Sequence, residues 1–131
     1  MRSQDVAASQ QPAGSCPFCR IVDGTASARI IREWPDALAI VPIDEVTAGH
    51  ALVIPKVHVA DVAVDPRVSA ITMHRAAELA TEHGACNIIT SRGESATQSV
   101  FHLHLHVLPR ADGDGLVLPW TASQSVSLGS P

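Results

Sequence analysis

Three of the chain's seven histidines stand at alternate positions in Phe101-His-Leu-His-Leu-His-Val107. In an extended backbone that spacing sends His102, His104 and His106 to one face and Phe101, Leu103, Leu105 and Val107 to the other. Imidazoles buried in a row without partners would be costly. The pattern therefore reads in three ways: a hydrogen-bonded structural ladder, a metal site, or an imidazole nucleophile whose neighbours orient it. Alternate Cα atoms on a strand lie roughly 6.6 Å apart, which hinders three rings of one strand from converging on a single ion. A neutral imidazole is a good nucleophile near pH 7, and its neighbours can hold its second nitrogen or protonate a leaving group. Nucleophilic catalysis fits more easily. A second chemically competent pair is Cys16-Pro-Phe-Cys19, whose spacing suits a metal knuckle or a redox pair. Cys86 is left over and reads as a small buried hydrophobe.

The elements that must position these groups follow from periodicity. Cys16 to Gly24 reads as a short turn or helix stopped by Gly24. Ala28 to Arg32 and Ala37 to Ile43 form β-rich runs around the turn Trp34-Pro-Asp36, which predicts an antiparallel hairpin. After the loop Asp44 to Gly49, the apolar run His50 to Pro55 predicts a mid-sheet strand. Asp65 and Pro66 supply a cap and first residue for one long helix ending near His83-Gly84. Val68, Met73, Ala76, Leu79 and Ala80 fall on its expected buried arc. Cys86 to Thr90 predicts a fourth strand, Ser91 to Thr97 a polar loop, and Ser99 to Leu108 the fifth strand, ended by Pro109. The remainder is irregular, with Trp120 as its bulky anchor. Strands around one main helix, joined by hairpin-length connections, argue an α+β fold with a five-stranded, mainly antiparallel sheet.

With 131 residues, 46% of them apolar, the chain can bury one core. A net charge of −4 and nine Lys and Arg in all give no basic stripe for a nucleic-acid polymer. No window approaches the ~20 apolar residues needed to cross a bilayer. The polar segment 1–14 reads as a disordered arm without signal-peptide character, and 122–131 as a flexible tail. Three cysteines suit a reducing compartment, so a cytoplasmic location is expected.

The histidine stretch, preceded by Gln98-Ser99 and a glycine-containing loop, resembles the histidine triad (HIT) motif. Cys16-Pro-Phe-Cys-Arg-Ile-Val-Asp-Gly24, Val46-Thr-Ala-Gly-His-Ala-Leu-Val-Ile-Pro-Lys-Val-His58 and Gly113-Asp-Gly115 with Trp120 resemble the bacterial branch of that family in the same order. The resemblance covers Cys16 to Trp120 and implies a HIT-like domain over 15–121, with one long and one short helix. It implies that His104 attacks the α-phosphate of an AMP-like purine nucleotide conjugate, a phosphoramidate or dinucleoside polyphosphate, giving a nucleotidyl-histidine that water hydrolyses. His102, His106 and Ser99 would complete the catalytic set, with His106 on the phosphate and Ser99 and Gln98 binding phosphate or leaving group.

The nucleotide pocket would draw on Phe18, Ile21 and Ile43, on Asp44, and on Ser91 and Gly93 of the loop. Pro42 stands where many members carry a ribose-binding aspartate, and Ser91 and Thr97 stand where many carry asparagine and glycine. His50 matches a further family histidine near the site, against the alternative of a core histidine bonded to backbone. Cys16, Cys19, His58 and His102 resemble the structural zinc site of some bacterial members. A two-fold homodimer through helix and sheet edge is also implied. Two rival functions remain open on the residues: a nucleotide-binding module with vestigial catalysis, and a zinc hydrolase built on the three histidines.

Overall fold

The structure, a computed structural model, describes residues 13–121. The expected tail 122–131, and the expected arm 1–14 except its last two positions, lie outside the described residues. Five strands form one sheet in the order β1-β2-β3-β5-β4, with every neighbouring pair antiparallel. They are β1 (Ile30–Glu33), β2 (Ala37–Ile40), β3 (Ala51–Pro55), β4 (Cys86–Ile89) and β5 (Leu105–Pro109). The α-helices α1 (Pro17–Val22) and α2 (Pro66–Ala80) accompany them.

The hairpin β1–β2 closes where the Trp34 N–H donates to the Ala37 carbonyl. Arg75 of α2 holds the turn from outside, with Nε 2.9 Å from Asp36 Oδ1 and its guanidinium over the Trp34 ring. Both β2 and β3 are buried along their whole length, as an apolar run in the middle of a sheet requires. Their alternating side chains feed two separate cores. On one face Ala39, Val53, Leu105 and Val107 pack with Ala76 and Leu79 of α2, and on the other Leu38, Ile40, Leu52 and Ile54 pack with Phe18 of α1 and with Cys16 just before it.

The long helix starts as its sequence dictates, with the Asp65 carboxylate accepting the Arg67 N–H at 3.0 Å and Pro66 at the first position. It ends at Ala80, three residues before the expected stop. Thr72, Ala76 and Leu79 are buried, whereas Met73 is exposed. Thr72 sits nearer the centre of the buried arc, and its hydroxyl is satisfied by the Val68 carbonyl at 2.8 Å, so it can enter the core where Met73 was expected.

The largest departure concerns the histidine stretch. Pairing of β5 begins at Leu105, not Ser99, and residues 99–104 run irregularly. In that segment His102 and Leu103 are both buried although adjacent, which breaks the expected alternation of faces. The cause is tertiary. The Leu103 N–H donates to Val59 O at 2.8 Å and His102 Nε2–H to Pro55 O at 2.8 Å, so the segment folds over the end of β3 instead of pairing along it.

Candidate active site and zinc centre

Cys16 caps α1, its Sγ accepting the Cys19 N–H at 3.3 Å, so the first helical turn brings both sulfurs to one side. His58 arrives from the loop after β3 and His102 from the irregular segment before β5. The four donor atoms all lie within 4.8 Å of one another. His58 Nδ1 is 3.1 Å from His102 Nδ1 and 3.2 Å from Cys19 Sγ, and His102 Nδ1 is 3.4 Å from Cys16 Sγ. Zinc bond lengths set the edges of a Cys2His2 tetrahedron at about 3.3 to 3.8 Å, and this set comes close to them. Since the Pro55 carbonyl can only accept, the His102 proton sits on Nε2 and its lone pair on Nδ1 faces the centre. Burial lowers the His102 pKa to about 4, keeping that lone pair free. Two thiols and two imidazoles leave no open coordination position, so an ion held here would be structural.

A separate cleft of about 800 Å³ opens beside this centre. Phe18, Ile21, Ile40 and Leu52 give it apolar walls, while Ser99, His104, His106 and His50 bring polar groups to it. Phe18 stands edge-on to His104 at 5.2 Å between ring centroids and to His102 at 5.8 Å, so it touches both a cleft histidine and a metal-set histidine.

Hydrogen bonds fix the tautomers of the cleft histidines. His104 Nδ1–H donates to the His102 carbonyl at 2.7 Å, which leaves Nε2 with the lone pair. The Val46 N–H donates to His50 Nδ1 at 3.2 Å, so the His50 proton is on Nε2 and points to His106 Nδ1, 3.0 Å away. His106 must then carry its own proton on Nε2. Adjacent imidazoles of the cleft, 5.2 Å apart between centroids, thus present opposite faces, a lone pair from His104 and a donor from His106. Burial depresses the pKa of all three, His106 to about 4 with His104 and His50 adding to the effect. They are neutral at pH 7.

The sequence-derived site divides on this geometry. Phe18, Ile21, Ile43, Asp44, Ser99, His104 and His106 line the cleft, and His50 joins them through His106 while also bonding backbone. His102 is absent from the cleft lining and belongs to the metal set. Ile43 is fully exposed at the rim, so it forms a lip and not a buried wall.

Ser91, Gly93 and Gln98 are absent from the lining. Gln98 is buried and fully engaged, Oε1 accepting the Gly93 N–H at 2.8 Å and Nε2 donating to Ala60 O and Val100 O at 2.8 and 3.0 Å. It ties two loops together and has no donor left for a phosphate. The N–H groups of residues 93, 96, 97 and 98 are likewise spent inside the loop. Arg29 and Glu45 also line the cleft and carry no motif that marks them in the sequence.

Thr97 adopts a left-handed φ of +73°. For a β-branched residue this costs on the order of 1–2 kcal/mol, and its exposed side chain gains only a bond to the Ala96 carbonyl in return. Thr97→Gly should therefore stabilise the fold by about 1 kcal/mol despite the added freedom of the unfolded chain. Thermal unfolding would show this as a melting point raised by a few degrees.

A fold of five antiparallel strands with an imidazole pair beside a Cys2His2 centre defines a histidine triad architecture. A profile of the HIT domain matches residues 23–113, and the chain belongs to that family. It is 41% identical over 108 residues to an uncharacterized HIT-like protein of Mycobacterium tuberculosis, covering 77% of this chain and 75% of that protein. It is 29% identical over 115 residues to the adenosine 5′-monophosphoramidase of Saccharomyces cerevisiae, covering 85% and 73%. Among solved structures, a zinc-bound histidine triad family protein from Mycobacterium smegmatis superposes with a TM-score of 0.71 at 42% identity, over 82% of this chain and 83% of that one. Cys16, Cys19, His58 and His102 accordingly form a structural zinc site.

Proposed function

We propose that the protein is a cytoplasmic nucleotidyl hydrolase acting on AMP-like phosphoramidates or anhydrides through a covalent intermediate on His104. The observation that carries this reading is the pairing of opposite tautomers in one cleft, a lone pair on His104 Nε2 beside a proton on His106 Nε2. In the first step His104 Nε2 bonds to the α-phosphorus and the bond to the leaving group breaks, the leaving group keeping the electron pair and taking a proton from solvent. The Nδ1–H···O=C bond to His102 stabilises the positive charge that the ring acquires. His106 Nε2–H donates to oxygen where negative charge builds, and the free hydroxyl of Ser99 can add a second donor. In the second step water bonds to phosphorus and gives its proton to solvent, the Nε2–P bond breaks with its electron pair returning to Nε2, and AMP leaves with His104 restored. The apolar walls around Phe18, Ile21 and Leu52 suit a purine. The named activity of the yeast relative supports the same reading.

The test is release of AMP from an adenosine phosphoramidate, with enzyme quenched in alkaline denaturant, where a P–N bond survives, carrying a nucleotidyl adduct. No turnover on any nucleotide conjugate, with AMP still bound in calorimetry, would favour a binding module instead. The pH dependence follows from burial. Because burial lowers the pKa values of His50, His104 and His106 below 6.5, the fall of kcat/KM on acidification, as the neutral nucleophile is lost, should be centred below pH 6.5. A fall centred at or above 6.5 would contradict the depressed pKa of the nucleophile.

A two-fold homodimer is part of the same proposal. β4 forms one edge of the sheet, and Ile71 and Met73 stand exposed on α2. Light scattering should return twice the chain mass, and a monomer would refute it.

A further inference from the structure

Resting on His104 as the nucleophile, we propose that Thr90, a residue outside the cleft, is a positioning residue for that imidazole. The β4–β5 ladder ends at the pair Ile89 and His106, and the β3–β5 ladder at Val53 and Leu105. His104 is the first residue beyond both, so neither ladder holds its main chain. At that position the Thr90 hydroxyl reaches across and donates to the His104 carbonyl at 2.7 Å. The bond replaces the ladder contact that the strands no longer supply. It orients the His104–Leu105 peptide, and with it the direction in which the imidazole leaves the backbone. The ring's own bond, Nδ1–H to the His102 carbonyl, depends on that direction. Loss of the Thr90 contact would let the peptide turn, lengthen the ring's bond and disperse Nε2 from its line of attack. Displacements of about 1 Å can cost 10²-fold in rate. Thr90 does not line the cleft, so it touches no substrate and acts only through His104.

The test uses the full chain and two substitutions. Thr90→Val keeps the side-chain volume and removes the donor, while Thr90→Ser keeps the donor. Single-turnover formation of the nucleotidyl adduct from an adenosine phosphoramidate should slow about 10- to 100-fold in Thr90→Val, with KM within about two-fold, and return to near the wild-type rate in Thr90→Ser. Ring ¹⁵N shifts of labelled histidine give a second readout. Thr90→Val should reduce the Nδ1–H tautomer of His104, and Thr90→Ser should preserve it. A Thr90→Val protein with unchanged rate, or with unchanged His104 ring shifts, overturns the proposal, as does equal impairment of both variants. If the wild type forms no adduct, the hydrolase reading falls on its own, and the ring shifts still decide the role of Thr90.

Discussion

His104→Ala is expected to lower the rate of nucleotidyl transfer by at least about 10⁴-fold, because removal of a covalent nucleophile leaves only binding and electrostatic stabilisation. The same variant should keep one zinc per chain and lose little stability. Its ring is half-buried, with a bond to the His102 carbonyl and T-shaped contacts to Phe18 and His106. The pairing of those two outcomes separates the competing chemistries. A zinc hydrolase built on three histidines would lose metal and activity together when His104 is removed. Here the zinc set is Cys16, Cys19, His58 and His102, and His104 is not among its donors. Metal analysis beside a quenched-flow adduct measurement reads both quantities on one sample. Zinc lost from His104→Ala, or an adduct still formed on it, would refute the assignment of nucleophile and ligand to neighbouring histidines.

The contrast between His102 and His104 also shows where sequence stops being informative. A period of two announces a strand with three equivalent imidazoles, and the cysteine spacing a metal knuckle or a redox pair, while His58 and His102 as partners of those cysteines came from the family resemblance. What the period could not carry is that a backbone carbonyl at Pro55 and another at Val59 draw His102 and Leu103 off the ladder. Those partners lie more than 40 residues away, and a backbone carbonyl has no residue type to read. Gln98 teaches the same point in reverse. Its amide can serve a phosphate or a loop equally well, and only the positions of Ala60 O, Val100 O and the Gly93 N–H show that the loop has taken it. By contrast, the start of α2 was readable because Asp65 and Pro66 act within three residues of themselves.

Stripping the zinc should destabilise the whole chain and not merely one loop, because its four ligands come from three otherwise separate segments. Cys16 and Cys19 open α1, His58 follows β3, and His102 precedes β5. The ion therefore ties the helix covering one face of the sheet to the segment that carries the nucleophile. For a site held at 1,000-fold above its dissociation constant, binding to the folded state alone contributes about 4.1 kcal/mol, which at roughly 2–4 °C per kcal/mol for a domain somewhat above this size predicts a fall in melting temperature of about 8–16 °C. Cys16→Ala should reproduce most of that loss and bind zinc poorly. The protonation chemistry gives an independent check. Without metal, burial first and the neighbouring Cys16 next push the Cys19 thiol up to about 12, so it is protonated at pH 7. A coordinated sulfur is a thiolate, and zinc uptake at pH 7 must therefore expel at least the Cys19 proton. Calorimetric titrations of the metal-free protein in buffers of different ionisation enthalpy should show an observed heat that changes with the buffer. A heat independent of buffer, or a metal-free protein as stable as the loaded one, would mean that the four groups do not hold zinc as a closed structural site.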